Sequence, residues 1–449
     1  MIKRTAYQHL LKWKKNGGKT ALMIEGARRV GKSTLVKEFA KNEYTSHILV
    51  DFSKAPKEVK DLFLDKRDDI DSFLLYLSSH YDVKLVERDS LLIFDEVQLL
   101  PEARGFLKHL VADGRYDYIA TGSLISIKEN IKDILIPSEE SSFELNPLSF
   151  AEFLEAIGSE PLAELLPSVL ESQNPLPEAL HRKAMSLFRE YMLVGGMPQA
   201  VQAYIETRDF AIADEVKREI LSTYQKDIVR YARSERSRVT AIFNQIPSQL
   251  SKREKRFVLS HISTNARMRR YEDAFFWLQD AKMVNLSYNA TDPNVGLSLN
   301  LDYSSLKCFM ADTGLLVTQS FSDKIVTPHE LYKAILFDRL GINEGMLTEN
   351  IVAQCLHNSG HNLFFYSRND RANSAEAIEV DFLVQRQFGS RYKICPIEVK
   401  SSKRFKTASL DKFTTKFNKK IGKQYILYTG NLEIVDERVL TPLYLAPWL

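Results

Sequence analysis

The chain is poor in cysteine, with three in 449 residues, Cys308, Cys355 and Cys395, far apart and without a Cys-x-x-Cys spacing. A disulfide framework and a zinc ribbon are thereby excluded, and a reducing, cytoplasmic setting is expected. Long apolar runs are missing too. No stretch approaches the roughly 20 residues that a membrane-spanning helix needs, and the amphipathic, basic segment 1–15 has no secretory core, so no membrane partner is expected. Net charge is small, +3 from 61 basic and 58 acidic residues, which leaves only local clusters to argue from. Internal repeats and long low-complexity tracts are absent. What remains, 44% apolar and 27% charged, is the composition of folded globular domains, and the length accommodates about three of them.

One glycine-bearing stretch organises the N-terminal part. Gly26-Ala27-Arg28-Arg29-Val30-Gly31-Lys32-Ser33-Thr34 follows the apolar run Ala21-Leu22-Met23-Ile24 and precedes Leu35, Val36 and Phe39 at helical spacing. Strand, glycine loop and helix start make a phosphate-binding P-loop, because two glycines let the backbone turn sharply and aim successive N–H groups into one concavity at the positive end of a helix. In that reading Lys32 reaches the β- and γ-phosphates of ATP and the Ser33 hydroxyl sits on Mg²⁺. A cover helix is expected before it, over 2–15, and a second strand after it, over 47–52.

Ser90-Leu91-Leu92-Ile93-Phe94-Asp95-Glu96 reads as a buried parallel strand ending in two carboxylates. A solvated strand end is the bland alternative. With a P-loop upstream, Asp95 instead belongs to the Mg²⁺ shell and Glu96 is the group that orients and deprotonates the attacking water. A strand over 116–120 runs into Thr121-Gly122-Ser123, where either Thr121 or Ser123 is placed to sense the γ-phosphate, and a further strand is expected over 142–145. Alternating strands and helices imply a parallel sheet with helices on both faces and a ligand at the carboxyl ends of its strands.

From 151 to 233 the pattern is helical, broken at Gly195-Gly196-Met197-Pro198, and carries no chemistry of its own. Helical stretches over 242–250, 255–261 and 271–278, then strands over 283–288 and 307–310, spell a winged helix-turn-helix. Lys252, Arg253, Lys255, Arg256, Arg267, Arg269 and Arg270 around the single acid Glu254 suit either phosphate contact with DNA or RNA or a protein-docking face.

The C-terminal part holds a second carboxylate set. Glu349 lies in an apolar helical stretch. Two strands follow, Glu379-Val380-Asp381-Phe382-Leu383-Val384 and Ile394-Cys395-Pro396-Ile397-Glu398-Val399-Lys400. Glu398 and Lys400, two apart, share a face, and antiparallel pairing of the strands brings Asp381 beside Glu398. Charges buried among Phe, Leu and Val need compensation. A second Mg²⁺ or Mn²⁺ supplies it, with Asp381, Glu398 and Glu349 as oxygen ligands and Lys400 orienting a water. This is the signature of the PD-(D/E)XK nuclease superfamily, and Lys403, Arg404, Lys406, Lys412, Lys416, Lys419 and Lys420 form a cluster suited to a phosphate backbone. A salt-bridged trio kept for stability or partner binding is the alternative.

Taken in order, GARRVGKST, LLIFDEVQ, ATGS, FELNPLSFAEF, GGMP, FMADTGLL, EVDFLV and PIEVKSS resemble the prokaryotic AAA-type (AAA+-like) ATPases that end in a domain of unknown function related to restriction endonucleases. The resemblance spans nearly the whole chain; the stretch 369–377 looks like an insertion. It implies an α/β P-loop NTPase domain (1–150), a helical lid or connector (151–235), a winged helix (236–325) and a nuclease-like α/β domain (326–449). The two carboxylate sets together with the basic surfaces point to Mg²⁺-dependent ATP hydrolysis that controls a nucleic-acid-facing C-terminal half. The rival is an ATP-switched signalling or scaffold ATPase that binds protein. Such enzymes often place an arginine across a subunit boundary of a homo-oligomer, and Arg104 and Arg115 are the candidates.

Overall fold

The computed structural model describes residues 2–67, 69–123, 140–252, 255–262, 266–321, 328–336, 344–368 and 377–449. The chain divides into two compact units, one of 1–146 with 280–282 and one of 147–279 with 283–449.

The first unit is a five-stranded parallel sheet in the order β2-β3-β4-β1-β5, with β1 at Ala21–Glu25, β2 at Ser46–Asp51, β3 at Ser90–Asp95, β4 at Asp117–Gly122 and β5 at Glu140–Glu144. One strand, β4, therefore stands between the strand that feeds the glycine loop and the strand that ends in Asp95. Every residue of β3 is buried, as expected where helices cover both faces of a parallel sheet. On one face Met23, Val50, Leu92 and Phe94 pack with the helices Lys57–Asp65, Ile70–Tyr81 and Pro101–Asp113. Their contact is an aromatic cluster, with Phe63 and Phe73 ring centres 5.0 Å apart and Phe73 and Phe106 4.9 Å apart, both edge to face. The helix Lys32–Glu43 turns its apolar stripe of Leu35, Val36 and Phe39 inward. The loops that follow β1, β3 and β4 all leave from the carboxyl edge, where a doubly wound sheet binds its ligand.

The second unit opens with helices. Ser149 caps Phe150–Ala156 in a reciprocal box with Glu152, and Glu160–Ser172, Glu178–Val194, Pro198–Thr207 and Phe210–Tyr231 follow. The expected break at Gly195-Gly196-Met197-Pro198 is a docking point. Gly196 N–H donates to Asp312 Oδ2 at 2.6 Å, and a Cβ on Gly314 would lie 2.6 Å from Gly195 Cα, so the two backbones meet where no side chain fits. Lys217 closes the same spot, donating to Leu193 O at 2.6 Å.

The three-helix reading of 236–280 needs correction. Arg236–Leu250 and Met268–Asp280 are helices, but 255–261, expected as a helix, contains only a single 3₁₀ turn, Leu259–His261, within its described part. The cause is competition for its backbone: Phe257 N–H donates to Leu306 O, and the Gln249 amide brackets Val258, accepting from its N–H at 3.1 Å and donating to its carbonyl at 3.2 Å. Nor is the ribbon of β6 (Val284–Ala290) and β7 (Leu301–Met310) a free wing. With β8 (Leu363–Arg368) and β9 (Ile378–Val380) it forms a four-stranded sheet in the order β7-β6-β8-β9, in which β8 runs parallel to β6.

The remaining strands form a second sheet in the order β10-β11-β12-β14-β13, comprising β10 (Phe382–Phe388), β11 (Arg391–Val399), β12 (Gln424–Tyr428), β13 (Glu433–Val435) and β14 (Arg438–Pro442). The strand expected over 379–384 is thus divided at Asp381, where the chain passes from one sheet to the other. Strands β10 and β11 are antiparallel with Phe382 opposite Ile397, so Asp381 extends the ladder beside Glu398, as the spacing argued.

A candidate nucleotide site and a carboxylate cluster

The loop from Gly26 to Gly31 links β1 to the helix Lys32–Glu43. Gly26 has φ 152° and a Cβ there would fall 2.4 Å from Leu145 O, so no other residue fits; Gly31, at φ 97°, starts the helix in a left-handed conformation. Ala27 and Val30 point inward, whereas Arg28, Arg29 and Thr34 are exposed. Lys32 is 5% exposed, and its Nζ donates to Gly26 O at 2.8 Å and Ala27 O at 3.0 Å. The amine is thus held in the concavity by the loop's own carbonyls.

Asp95 is 4% exposed at the end of β3. Ser33 Oγ donates to its Oδ1 at 2.9 Å, and Thr121 Oγ1 donates to the same oxygen. The register explains the second bond, since Phe94 pairs with Ala120 and the next residues are Asp95 and Thr121. Of the two sensor candidates, Thr121 is brought to Asp95; Ser123 is buried at the end of its described segment. Glu96 turns left-handed, φ 57°, and its Oε2 accepts from Gln98 Nε2, while Gln98 Oε1 is buried without a partner. A carboxylate with two hydroxyls beside a helix N-terminus and a buried amine is a donor set that fits Mg²⁺ and a polyphosphate. Ser33 and Asp95 would hold the metal and its waters, and Lys32 with the loop N–H groups would hold the phosphates.

The two arginines differ. Arg104 is buried in a bidentate pair with Glu140, at 3.0 and 2.7 Å. Arg115, about a third exposed, bonds Asp113 and Asp71, and hydrogen bonding to Asp113 raises its already high pKa.

In the second unit Asp381, Glu398, Lys400 and Glu349 do come together, but around a residue that motif reasoning passed over. Lys307 on β7, fully buried, places its Nζ 2.9 Å from Glu349 Oε1, 3.4 Å from Glu379 Oε1 and 3.6 Å from Asp381 Oδ1, with the Phe365 ring centre 5.1 Å away. Burial disfavours its charge, but Glu349, Asp381 and Glu379 outweigh burial and raise its pKa. Burial likewise opposes ionisation of Glu349, and Lys255 and Lys307 overcome it and lower that pKa. Lys255 bonds Glu349 Oε2 and Gly345 O, so this member of the expected basic surface points inward instead. Asp381 Oδ2 accepts from Val399 N–H at 2.9 Å, and Lys400 pairs with Glu398 Oε2. Glu398 Oε1 is buried without a partner, and burial followed by Asp381 pushes the Glu398 pKa up to about 7. These carboxylates do not fit a divalent cation as they stand, because an ammonium already lies among them. Among the described residues no group of three or more His, Cys, Asp or Glu side chains is placed to hold a metal ion. One signal for Lys307 was in the sequence: a lysine inside the apolar run Leu306 to Met310 must find acids if that strand is buried.

Elsewhere, Arg256, Arg267, Arg269 and Arg270 are exposed, and Arg253 and Glu254 lie outside the described residues, as does most of the insertion-like stretch 369–377. In the C-terminal cluster Lys420 pairs with Asp292 at 2.8 Å and Lys416 bonds Tyr366 at 3.0 Å; Lys403, Arg404, Lys406 and Lys419 are exposed. No helix among the described residues is long and apolar enough to cross a membrane.

Three family models match the chain: an AAA domain over residues 18–154, a domain of unknown function, DUF8612, over 185–324, and a second, DUF4143, over 344–446. The first spans the P-loop, Asp95 and Thr121. No curated protein matches. Among solved structures, the Walker-type ATPase PABY2304 of Pyrococcus abyssi is 15% identical with a TM-score of 0.43, covering 71% of this chain and 96% of its own. The Aeropyrum pernix ORC1 protein in complex with DNA is 10% identical with a TM-score of 0.29, covering 72% and 93%. A Pyrococcus horikoshii signal transduction ATPase with numerous domains, carrying a tetratricopeptide repeat sensor, is 12% identical with a TM-score of 0.28, covering 79% and 48%.

Proposed function

We propose that the chain is a Mg²⁺-dependent ATPase whose nucleotide state controls its C-terminal half. The observation that carries this reading is the meeting of Ser33 and Thr121 on Asp95 beside a P-loop whose Lys32 is held in the concavity. Lys32 neutralises phosphate charge, Ser33 and Asp95 hold Mg²⁺, Glu96 activates water and Thr121 senses the γ-phosphate. Magnesium supplies charge neutralisation at the transferred phosphoryl group. Calorimetry with Mg-ATP and a turnover assay test this. Lys32→Ala should lose binding by at least 100-fold, and Glu96→Gln should keep binding while turnover falls by 100-fold or more. Unchanged turnover in both variants refutes the assignment.

What the second half touches has two readings. Exposed Arg256, Arg267, Arg269 and Arg270 support DNA or RNA, and the inward turn of Lys255 and the lysine-filled carboxylates support a signalling or scaffold role with a protein partner. Salt separates them, since phosphate contacts weaken steeply with ionic strength and a largely apolar interface does not. Charge reversal at Arg267, Arg269 and Arg270 is the companion test. Metal-dependent cleavage by Asp381, Glu398 and Lys400 is not part of this proposal.

A further inference from the structure

Four carboxylates and three lysines converge in the second unit, and their arrangement is asymmetric. Glu398 faces Lys400, and Glu349 is shared by Lys255 and Lys307. Glu379 and Asp381 have one cationic partner between them among these lysines, Lys307. That ammonium comes from β7, far in sequence from every carboxylate it serves, and is completely buried. A lysine ammonium is compact and strongly hydrated, so leaving it at 0% exposure requires a replacement for its water shell. Three carboxylate oxygens and the face of Phe365 provide one.

Oxygen donors from three acidic side chains around one central charge are the environment of a bound divalent metal. Here the centre is an amine. We infer that Lys307 is the resident cation of this cluster: its ammonium occupies the position among Glu349, Glu379 and Asp381 that a divalent cation would take, so the C-terminal domain as folded neither binds Mg²⁺ or Mn²⁺ there nor cleaves nucleic acid with it. A metal entering beside the ammonium would meet like charge in a poorly solvated site, and the lysine cannot step aside without leaving its own charge unpaired. Removing the amine leaves Glu349, Glu379 and Asp381 without the cation they share, a charge deficit that a metal ion can make up. Lys307 plays this part whether or not the first unit binds ATP.

The test uses the full chain without nucleotide, in an Asp95→Asn background so that the first unit loses its metal-binding carboxylate, and Mn²⁺ as the probe. With Lys307 present, calorimetry should give no saturable Mn²⁺ binding and melting should not respond to the metal. Lys307→Ala and the closer isostere Lys307→Gln should each take up one Mn²⁺, at least tenfold tighter than any uptake by the lysine-bearing chain, with a metal-dependent rise in Tm that Asp381→Asn removes. If both variants are unfolded without metal, Mn²⁺ should restore their melting transition; failure to restore it overturns the inference. So does saturable Mn²⁺ binding, or Mn²⁺-dependent DNA or RNA cleavage, by the Lys307-bearing chain that Asp381→Asn abolishes.

Discussion

Two clusters in this chain contain the same ingredients, a buried lysine amine and buried or half-buried carboxylates, and dispose of them in opposite ways. In the first unit Lys32 donates to the carbonyls of Gly26 and Ala27, and among the described residues Asp95 receives hydroxyls, from Ser33 and Thr121. In the second, Lys307 lies directly among Glu349, Glu379 and Asp381. Hydroxyl partners leave the Asp95 carboxylate able to take a stronger opposite charge, as magnesium supplies. Direct ion pairing leaves little to gain from a ligand. Readiness to bind is thus decided by what the charges already touch rather than by which charges are present.

The comparison breaks most visibly in stability. Removing Glu349 takes from Lys255 and Lys307 the carboxylate they share and leaves Lys307 with Glu379 and Asp381 alone, and breaking a buried pair costs about 3–5 kcal/mol. Glu349→Ala should show that loss in urea denaturation followed on the second unit. Lys32→Ala, which deletes an amine bonded to the carbonyls of Gly26 and Ala27, should cost no more than about 1–2 kcal/mol. Equal losses in the two variants would mean that the two lysines are held alike.

A smaller effect sharpens the same contrast within the first unit. Arg104 and Glu140 form a buried fork-to-fork pair, at 6% and 5% side-chain exposure. Arg104→Lys keeps the charge and loses the second hydrogen bond, so thermal melting should register about 1–2 kcal/mol while ATP turnover is retained. If turnover collapses with Tm unchanged, Arg104 acts on nucleotide across a subunit boundary, and its pairing with Glu140 is not what holds it.

Much of this was readable from the chain because it is local. The P-loop residues are contiguous, and β3 announces itself as an apolar run ending in Asp95. Alternation along two short strands was enough to set Asp381 beside Glu398. Three things were not local. The helix expected over 255–261 is undone by hydrogen bonds from Leu306 and Gln249, one partner nearly fifty residues away in sequence. The wing strands are drawn into a sheet by β8, and the strand through Asp381 splits because its halves join different sheets. Lys307 could be recognised as needing partners from its apolar neighbours, but which acids would meet it depends on the placement of β7, the helix Glu344–Asn358 and β9, and no spacing records that.

A third lysine extends the comparison into pH. Lys217 is as buried as Lys307 but is solvated mainly by carbonyls, Leu193 O at 2.6 Å and Gly314 O at 3.3 Å, with Asp214 3.7 Å away. Burial accordingly wins, and its pKa falls to about 8 from the usual 10.5, opposite in direction to Lys307. Below pH 8 the group is protonated in both folded and unfolded chains and contributes no slope. Between pH 8 and 10.5 the unfolded chain holds a proton that the folded chain has lost, so stability rises with pH, by at most about 1.4 kcal/mol per unit. Subtracting the stability of Lys217→Met from that of the parent chain at each pH isolates this term from other alkaline titrations. The difference should climb through that window and level off above it. A flat difference would mean that Asp214 holds the Lys217 charge in place, as the acids around Lys307 do, and that two carbonyl contacts and a nearby acid are already enough to keep a buried amine protonated.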